Sequence, residues 1–145
     1  MKTGTSFTVV LAIWVLMSFS SDKNENLVKR HLMFKANEVE LTELAIEQID
    51  QWFENMDDSN IEMIRITGFA APFPNPENTK IFGMMRAYSI KNYLEDKGIP
   101  SEKIEMDHKD ASTLTCEEIP EGMEKGWRAE VDLVFKDQIP LYFRN

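Results

Sequence analysis

Few residues of this chain combine the side-chain types and the spacing that catalysis requires. Three acidic residues and a histidine form the cluster that most resembles a set of metal ligands: Glu105, Asp107, His108 and Asp110. No glycine-containing calcium loop surrounds this cluster, and strand alternation would turn its first two carboxylates toward solvent. Neither His31 nor Cys116 lies in a motif that pairs a nucleophile with a base. We therefore predict no catalytic residue, no metal site and no cofactor.

Arg86 is the side chain with the most specific binding chemistry, because a planar guanidinium pairs with a carboxylate through two parallel hydrogen bonds. The surrounding sequence places it in the second turn of a predicted amphipathic helix, near several acidic residues. An exposed arginine in such a place is usually solvated or weakly paired. Two interpretations of Arg86 therefore stay open, a carboxylate-binding residue and an ordinary surface cation.

The composition indicates one globular domain that binds neither nucleic acid nor anionic lipid. The chain has 145 residues, of which 43% are apolar and 28% charged, and its net charge is -9. This balance is typical of a folded domain rather than of a disordered chain. An acidic surface repels phosphate groups, and the sequence contains no polybasic segment suited to anionic lipid headgroups.

Residues 1–20 have the pattern of a secretory signal peptide. Lys2 precedes a nearly uncharged apolar run from Phe7 to Phe19, and Ser18 and Ser20 are small enough for a cleavage site. This run is shorter than the roughly 20 residues of a membrane-spanning helix, and an uncleaved anchor is the alternative. Residues 21–28 are predicted to be a polar leader. The pattern predicts export to the periplasm or the outer-membrane region, with membrane attachment only through an uncleaved signal segment.

Cys116 is the only cysteine, so the chain cannot form an internal disulfide bond. In an exported protein a single cysteine indicates either a free thiol or a bridge between two chains. The simpler interpretation is a loop thiol without a role. The oligomeric state stays open at this stage.

The periodicity of apolar residues predicts six elements in the order β-α-β-α-β-β. Strands are predicted at residues 27–34, 61–67, 103–107 and 128–135, and amphipathic helices at residues 38–54 and 78–97. Asn78 is predicted to cap the second helix and Gly98 to end it. The alternation favours an α/β (α+β) two-layer sandwich with both helices on one face of a mixed sheet. Three residues of the tail are candidates for docking on this domain: Leu141, Tyr142 and Phe143.

Two segments resemble the centre of the OmpA-like, peptidoglycan-associated domain. They read Ile64-Arg-Ile-Thr-Gly-Phe-Ala-Ala71 and Arg86-Ala-Tyr-Ser-Ile-Lys-Asn-Tyr-Leu-Glu-Asp-Lys-Gly-Ile-Pro100. The family reads apolar-x-Gly-x-Thr-Asp and then, after a loop, Arg-Ala-x-x-Val-x-x-Tyr-Leu-x-x-x-Gly-Ile. The resemblance implies an OmpA-like domain over residues 29–136, followed by a C-terminal tail at residues 137–145. It also implies the same order of elements as the periodicity does.

The resemblance implies a ligand-binding site from which one carboxylate is missing. In the family, an arginine and an aspartate hold the carboxylate and the ammonium of diaminopimelate, the cross-linking residue of the cell wall. Arg86 matches the arginine, but Ala71 occupies the position of the aspartate, so the motif is degenerate. Three other positions match residues that line or support the site in the family: Asn37 in the first loop, Thr79 in place of an asparagine, and Glu130 in place of an arginine.

The resemblance implies a non-catalytic envelope module that binds peptidoglycan without covalent bonds. Loss of the aspartate predicts weakened or altered binding, because an unpaired charge in such a desolvated site costs about 2–5 kcal/mol. Phe69 and Phe73 are predicted to flank the site, which would favour a peptide or a protein over a zwitterion. The alternative is a structural adaptor that keeps the fold but binds an envelope protein through residues 72–77 and 141–143.

Overall fold

The computed structural model describes residues 26–54, 56–71, 73–111, 126–137, 139–140 and 143. The predicted signal peptide, residues 21–25 of the predicted leader, Pro72, Cys116, Leu141 and Tyr142 lie outside these ranges. Within the described ranges, no helix is both long enough and apolar enough to cross a membrane. The same ranges contain no group of three histidine, cysteine or acidic side chains that could hold a metal ion.

Four strands and two helices follow one another in the predicted order. They are β1 (Asn26–Met33), α1 (Glu43–Phe53), β2 (Ile61–Ala70), α2 (Pro76–Asp96), β3 (Ile104–Asp110) and β4 (Arg128–Phe135). The order across the sheet is β1-β4-β2-β3. Strand β4 is antiparallel to both of its neighbours, whereas β2 and β3 are parallel and are joined through α2. The predicted mixed sheet is therefore confirmed. Strand β1 starts inside the predicted leader, because Asn26 pairs with Phe135 of β4.

Both helices pack on one face of the sheet, and the apolar core lies between these two layers. The strands and helices contribute these side chains to the core: Val28, Leu32, Ile64, Ile66, Val131, Leu133 and Phe135, with Ala45, Ile49, Ala87, Ile90 and Leu94. Because side chains alternate along a strand, the face away from the helices carries the intervening residues. These are mainly polar or charged: Lys29, His31, Arg65, Thr67, Glu105, Asp107, Arg128, Glu130 and Asp132. We call this second surface the open face.

Helix α1 starts later than predicted. The Thr42 hydroxyl accepts a hydrogen bond from the Ala45 backbone N–H over 3.1 Å, so Thr42 is the N-cap and Glu43 the first helical residue. The residues between β1 and this cap form a connection in which Asn37 has a φ of 56°. Asparagine tolerates this left-handed conformation better than most residues do. The predicted start at residue 38 was therefore wrong, because a turn uses these polar residues instead.

Helix α2 starts earlier than predicted and ends as predicted. Asn75, rather than Asn78, caps the helix by accepting a hydrogen bond from the Glu77 N–H over 3.0 Å. Pro76 takes the first helical position, where a missing N–H leaves no helical bond unmade. At the other end, Gly98 has a φ of 99° and supplies the predicted left-handed stop.

Strand β2 continues past Gly68, where the sequence predicted its end. A Cβ atom added to Gly68 would lie 1.9 Å from the carbonyl oxygen of Gly83 in α2. A Cβ atom added to Gly83 would in turn lie 2.9 Å from the oxygen of Gly68. The two glycines therefore let α2 approach the backbone of β2, which sets how deeply the middle of the helix, including Arg86, enters the domain.

Phe143 confirms the predicted docking of the tail at one of its three positions. Its ring is buried and lies 5.7 Å from the ring of Phe135, measured between centroids. The guanidinium of Arg30, on strand β1, lies 5.2 Å from the centroid of the Phe143 ring, in cation–π geometry. Phe143 is therefore part of the core and not a free surface for a partner.

Candidate functional site

A small cleft at the carboxyl end of β2 brings together three of the five predicted site residues. It is lined by Asn37, Ala70, Ala71, Phe73, Phe82, Arg86, Gly126 and Trp127, and we call it the Arg86 cleft. Its volume is about 10 Å³, which is about the space that one water molecule needs. The cleft is therefore a closed site in this conformation, and a larger ligand would have to bind at its mouth.

Arg86 forms the floor of the cleft and is only 1% exposed. Its guanidinium donates to four backbone carbonyl oxygens in three separate segments: the β1–α1 connection, strand β2 and the residues just before β4. Nε donates to Glu38 (3.0 Å), Nη1 to Phe69 (2.8 Å) and to Gly126, and Nη2 to Lys35 (3.4 Å). Of the two interpretations that the sequence left open, the ordinary surface cation was wrong, because these segments, distant in sequence, converge on the guanidinium. Arg86 thus links the β1–α1 connection to the end of β2 and to the residues just before β4.

The positive charge of Arg86 is balanced by dipoles and rings rather than by a carboxylate. In the described part of the chain, no acidic side-chain oxygen lies within 4.0 Å of its nitrogens. The rings of Phe34 and Phe82 lie 5.3 and 5.8 Å from the guanidinium carbon. Burial lowers the pKa of Arg86 to about 10, so the group still carries its proton at neutral pH. The four hydrogen bonds to carbonyl groups use four of the five N–H donors of Arg86. The second hydrogen of Nη2 donates to none of these carbonyl groups.

Asn37 and Ala71 lie at the mouth of the cleft, and both are exposed. The methyl group of Ala71 offers no charge, so the position that holds an aspartate in the family contributes no anion here. Ala71 also lies against Gly126, where an added Cβ atom would meet Ala71 atoms at 2.6 Å. The mouth is therefore narrow, polar on the Asn37 side and apolar on the Ala71 side.

Thr79 supports the cleft from behind and does not line it. Its hydroxyl accepts a hydrogen bond from the Phe73 backbone N–H over 2.9 Å, and the Thr79 side chain is buried. This bond fixes the segment that carries the Phe73 ring, whose centroid lies 5.0 Å from that of Phe82. The supporting role of Thr79 in ligand binding, which the resemblance implies, stays a prediction.

Glu130 lies away from the cleft, on the open face of the sheet. Its carboxylate accepts a hydrogen bond from Arg128 Nη2 over 2.8 Å and lies 3.4 Å from Lys29 Nζ. Arg128 is fully buried, with its guanidinium 4.8 Å from the ring of Phe69. Arg128 is therefore not exposed to solvent, although it lies on the face away from the helices, and the prediction that Phe69 flanks the site was wrong. Glu130 pairs with these cations and is not placed to replace the missing aspartate.

Two lining residues, Gly126 and Trp127, belong to no motif in the sequence. They immediately precede β4, and they reach the cleft because β4 pairs with β2 rather than with β3. Only the position of Trp127, a partly exposed aromatic residue next to a strand start, could have drawn attention to it.

We expect His31, on the open face beside Glu130, to make stability depend on pH. Burial lowers the pKa of His31 below 6.5, although the charge of Glu130 opposes that shift. The unfolded chain then binds the proton more readily than the folded chain, so stability falls as the pH drops below 6.5. Unfolding by urea between pH 7 and pH 5 should show this decline, and His31→Gln should reduce it. Parallel pH profiles of parent and variant would contradict the assignment.

The sequence matches one protein family over most of the described domain. Residues 33–118 match the model of the OmpA family. Outer membrane protein A of Buchnera aphidicola subsp. Schizaphis graminum is 32% identical to this chain over 88 residues. That match covers 59% of this chain and 25% of the relative, so the chain spans about a quarter of the relative's length.

Solved structures with low sequence identity share the fold. The OmpA-like domain of FopA1 from Francisella tularensis has a TM-score of 0.57 at 20% identity and covers 77% of each chain. The periplasmic domain of Helicobacter pylori MotB has a TM-score of 0.52 at 17% identity, covering 77% of this chain and 76% of that one. The peptidoglycan-associated lipoprotein of Burkholderia pseudomallei has a TM-score of 0.50 at 19% identity, covering 74% and 90%.

Proposed function

This chain belongs to the OmpA family, and we propose that it is a non-catalytic module of the cell envelope that binds peptidoglycan at the mouth of the Arg86 cleft. The proposed ligand group is a carboxylate of the diaminopimelate peptide. The proposed location is the periplasm, in association with the outer membrane. Peptidoglycan association is part of the name of one relative of the same fold, and it supports this choice.

The buried guanidinium without a carboxylate is the observation that carries the proposal. A charge in an apolar surrounding attracts an opposite charge more strongly than it would in water. The carbonyl groups around Arg86 accept hydrogen bonds from four of its five N–H donors but leave a net positive charge at the cleft. The rest of the chain is acidic, with a net charge of -9, so this cation is a local site for an anionic group.

The missing aspartate predicts that this binding is weaker than in the family or has a changed specificity. The ammonium of diaminopimelate would find an exposed methyl group at Ala71 instead of a carboxylate. The rings of Phe73, Phe82 and Trp127 around the cleft offer apolar contacts instead. The ligand would therefore be held by one charge and by apolar surface, not by two complementary charges.

Co-sedimentation with purified sacculi that contain diaminopimelate tests the proposal. We expect the parent protein to sediment with the sacculi and Ala71→Asp to sediment about tenfold more strongly, because the substitution supplies the ammonium partner. Ser101→Asp adds the same charge at the opposite end of the sheet and serves as the matched control. It should leave the retained fraction unchanged.

A second pair of variants separates the cleft from general adhesion. Trp127→Ala removes an aromatic ring from the cleft, whereas Tyr88→Ala removes an aromatic ring that is 55% exposed on α2 and does not line the cleft. Retention should fall for the first variant and not for the second. A parent protein that stays in the supernatant, or equal losses in both variants, would rule out the cleft as a wall-binding site.

The closed state of the cleft favours a second candidate function, an envelope adaptor that binds a protein. Three apolar side chains of α2 share one side of the helix and are about half exposed: Ile81, Met85 and Tyr88. Extraction of envelopes before and after digestion of the wall distinguishes the two functions. A wall-binding module is released by the digestion, whereas an adaptor stays with its partner.

A further inference from the structure

A groove at the opposite end of the molecule from the Arg86 cleft has a volume of about 780 Å³. It lies between the carboxyl ends of α1 and α2, next to the start of β2. Its lining residues are Glu47, Asp50, Gln51, Phe53, Glu54, Met56, Asp58, Asp96, Lys97 and Ile99, and we call it the C-terminal groove. The volume is enough for several side chains of a partner.

The C-terminal groove has an apolar floor and an acidic rim. Phe53, Met56 and Ile99 provide the apolar surface, and all three also pack on the hydrophobic core, which holds the floor in place. Five carboxylates surround them: Glu47, Asp50, Glu54, Asp58 and Asp96. An apolar floor with a rim of one charge sign is the usual form of a surface that recognises an amphipathic segment.

Only one of these five carboxylates is neutralised by a cation of the described residues. Lys97 Nζ lies 2.7 Å from Asp50, and the Tyr93 hydroxyl donates to the same carboxylate over 2.7 Å. The other four have no lysine, arginine or histidine nitrogen within 4.0 Å in the described part of the chain. The rim therefore keeps an excess of negative charge after the internal contacts are made.

The two helices add to this negative potential because both end at the groove. The carboxyl end of a helix carries a partial negative charge, which lysine or arginine in the last turn commonly offsets. Neither α1 nor α2 has a basic residue in its last turn. Lys97 follows α2 directly, but its ammonium is bound by Asp50. Lys103 Nζ donates to the backbone carbonyl of Asp58 over 3.0 Å, but within the described residues four rim carboxylates and both helix ends still leave an excess of negative charge.

We propose that the C-terminal groove binds a basic, amphipathic peptide segment of another envelope protein. Arginine or lysine side chains of that segment would pair with the rim, and its apolar side chains would cover the floor. A bare metal ion would leave the apolar floor uncovered, and the carboxylates are not grouped as metal ligands within the described residues. Charge complementarity therefore selects a cationic peptide.

Titration with a synthetic peptide that repeats Arg-Leu-Gly three times tests the proposal. We expect backbone NMR shifts at the groove residues, centred on Phe53, Met56 and Ile99. The triple variant Glu47→Gln/Glu54→Gln/Asp96→Asn should weaken binding by about tenfold or more, because it removes three rim charges. Replacing the leucines of the peptide by serines should also weaken binding, since the floor then stays uncovered.

A matched triple variant removes the same number of charges from the amino ends of the helices: Glu40→Gln/Glu43→Gln/Glu77→Gln. It should bind the peptide as the parent protein does. Equal weakening in both triple variants would show general attraction to an acidic protein and would overturn the proposal, as would an absence of shifts at the groove. Saturation of the groove shifts by MgCl₂, at an ionic strength matched with NaCl, would also overturn it in favour of a cation site.

The outcome is independent of the wall-binding experiment. The C-terminal groove lies at the amino end of β2, whereas the Arg86 cleft lies at its carboxyl end. The two surfaces have no lining residue in common. The triple groove variant should therefore sediment with sacculi as the parent protein does.

Discussion

Arg86→Ala is expected to destabilise the fold by more than about 3 kcal/mol, whatever its effect on any ligand. The substitution removes the hydrogen-bond donors of four carbonyl groups. The carbonyl groups of Phe69 and Gly126 accept these hydrogen bonds in buried surroundings. A buried carbonyl left without a donor costs about 1–3 kcal/mol, and the lost side chain adds a cavity. Urea unfolding followed by circular dichroism measures the loss.

Two other arginine variants show whether the forked geometry of the Arg86 guanidinium is responsible for the stability that Arg86→Ala loses. Arg86→Lys keeps a positive charge but cannot reach acceptors on three sides, so we expect an intermediate loss. Arg65→Ala removes an arginine that is 43% exposed and pairs with the exposed Glu105, and it should change stability by no more than about 0.5 kcal/mol. Loss of less than about 1 kcal/mol in Arg86→Ala would mean that the carbonyl groups find water or other donors.

This structural role changes how an Arg86 variant can be used to study binding. A loss of wall retention in Arg86→Ala would follow from unfolding as well as from a lost contact. The substitutions at Ala71 and Trp127 avoid this ambiguity, because both side chains are at least partly exposed at the mouth of the cleft.

Gly68→Ala is expected to have a comparable effect, with a loss of about 3 kcal/mol or more. The new methyl group would lie 1.9 Å from the Gly83 carbonyl oxygen and 2.9 Å from its carbon. These are backbone atoms, so the clash can be relieved only if α2 moves away from β2. Such a movement would open the core between Ile66 and Ala87, where both side chains are fully buried. Thermal unfolding of the purified variant checks the expectation.

Substitutions at Gly83 and Thr67 are the comparison variants for this measurement. Gly83→Ala places its methyl group 2.9 Å from the Gly68 oxygen and 3.0 Å from the His108 Cβ atom, so a smaller shift suffices and we expect a smaller loss. Thr67→Ala changes a side chain on the open face and should cost about 1 kcal/mol or less. If Gly68→Ala unfolds at the temperature of the parent protein, the helix and the strand are not as close as the structure places them.

Local sequence patterns predicted an element correctly where the residues that favour its local conformation are also the ones that its packing in the domain requires. The strict alternation of residues 128–135 gave the bounds of β4, since one face of that strand meets the core. Gly98 marked the end of α2 because a left-handed residue is required at that point. The start of α2 was missed, because Asn75 and Asn78 are equally good caps in sequence and the fixed conformation of Pro76 decides between them.

The site was predicted as a set of positions but not as an arrangement. The resemblance to the family located Asn37, Ala71 and Arg86, and the structure brings these three together. The burial of Arg128 could not be read from alternation, and the family position of Glu130 did not show that its carboxylate pairs with Arg128 and Lys29. Alternation assigns a face to each side chain, but the burial of that face depends on the rest of the domain.

The sequence by itself determined the order of strands and helices, the acidic character of the chain and the loss of the aspartate at Ala71. These properties depend on residue type and on short-range spacing, which the chain states directly. The tertiary structure decided that Arg86 is a buried link rather than a surface cation, and that two helix ends form an acidic groove. Carbonyl acceptors from four distant residues, and the close contact of two glycines, exist only after the segments have come together, because no local pattern encodes the distance between them.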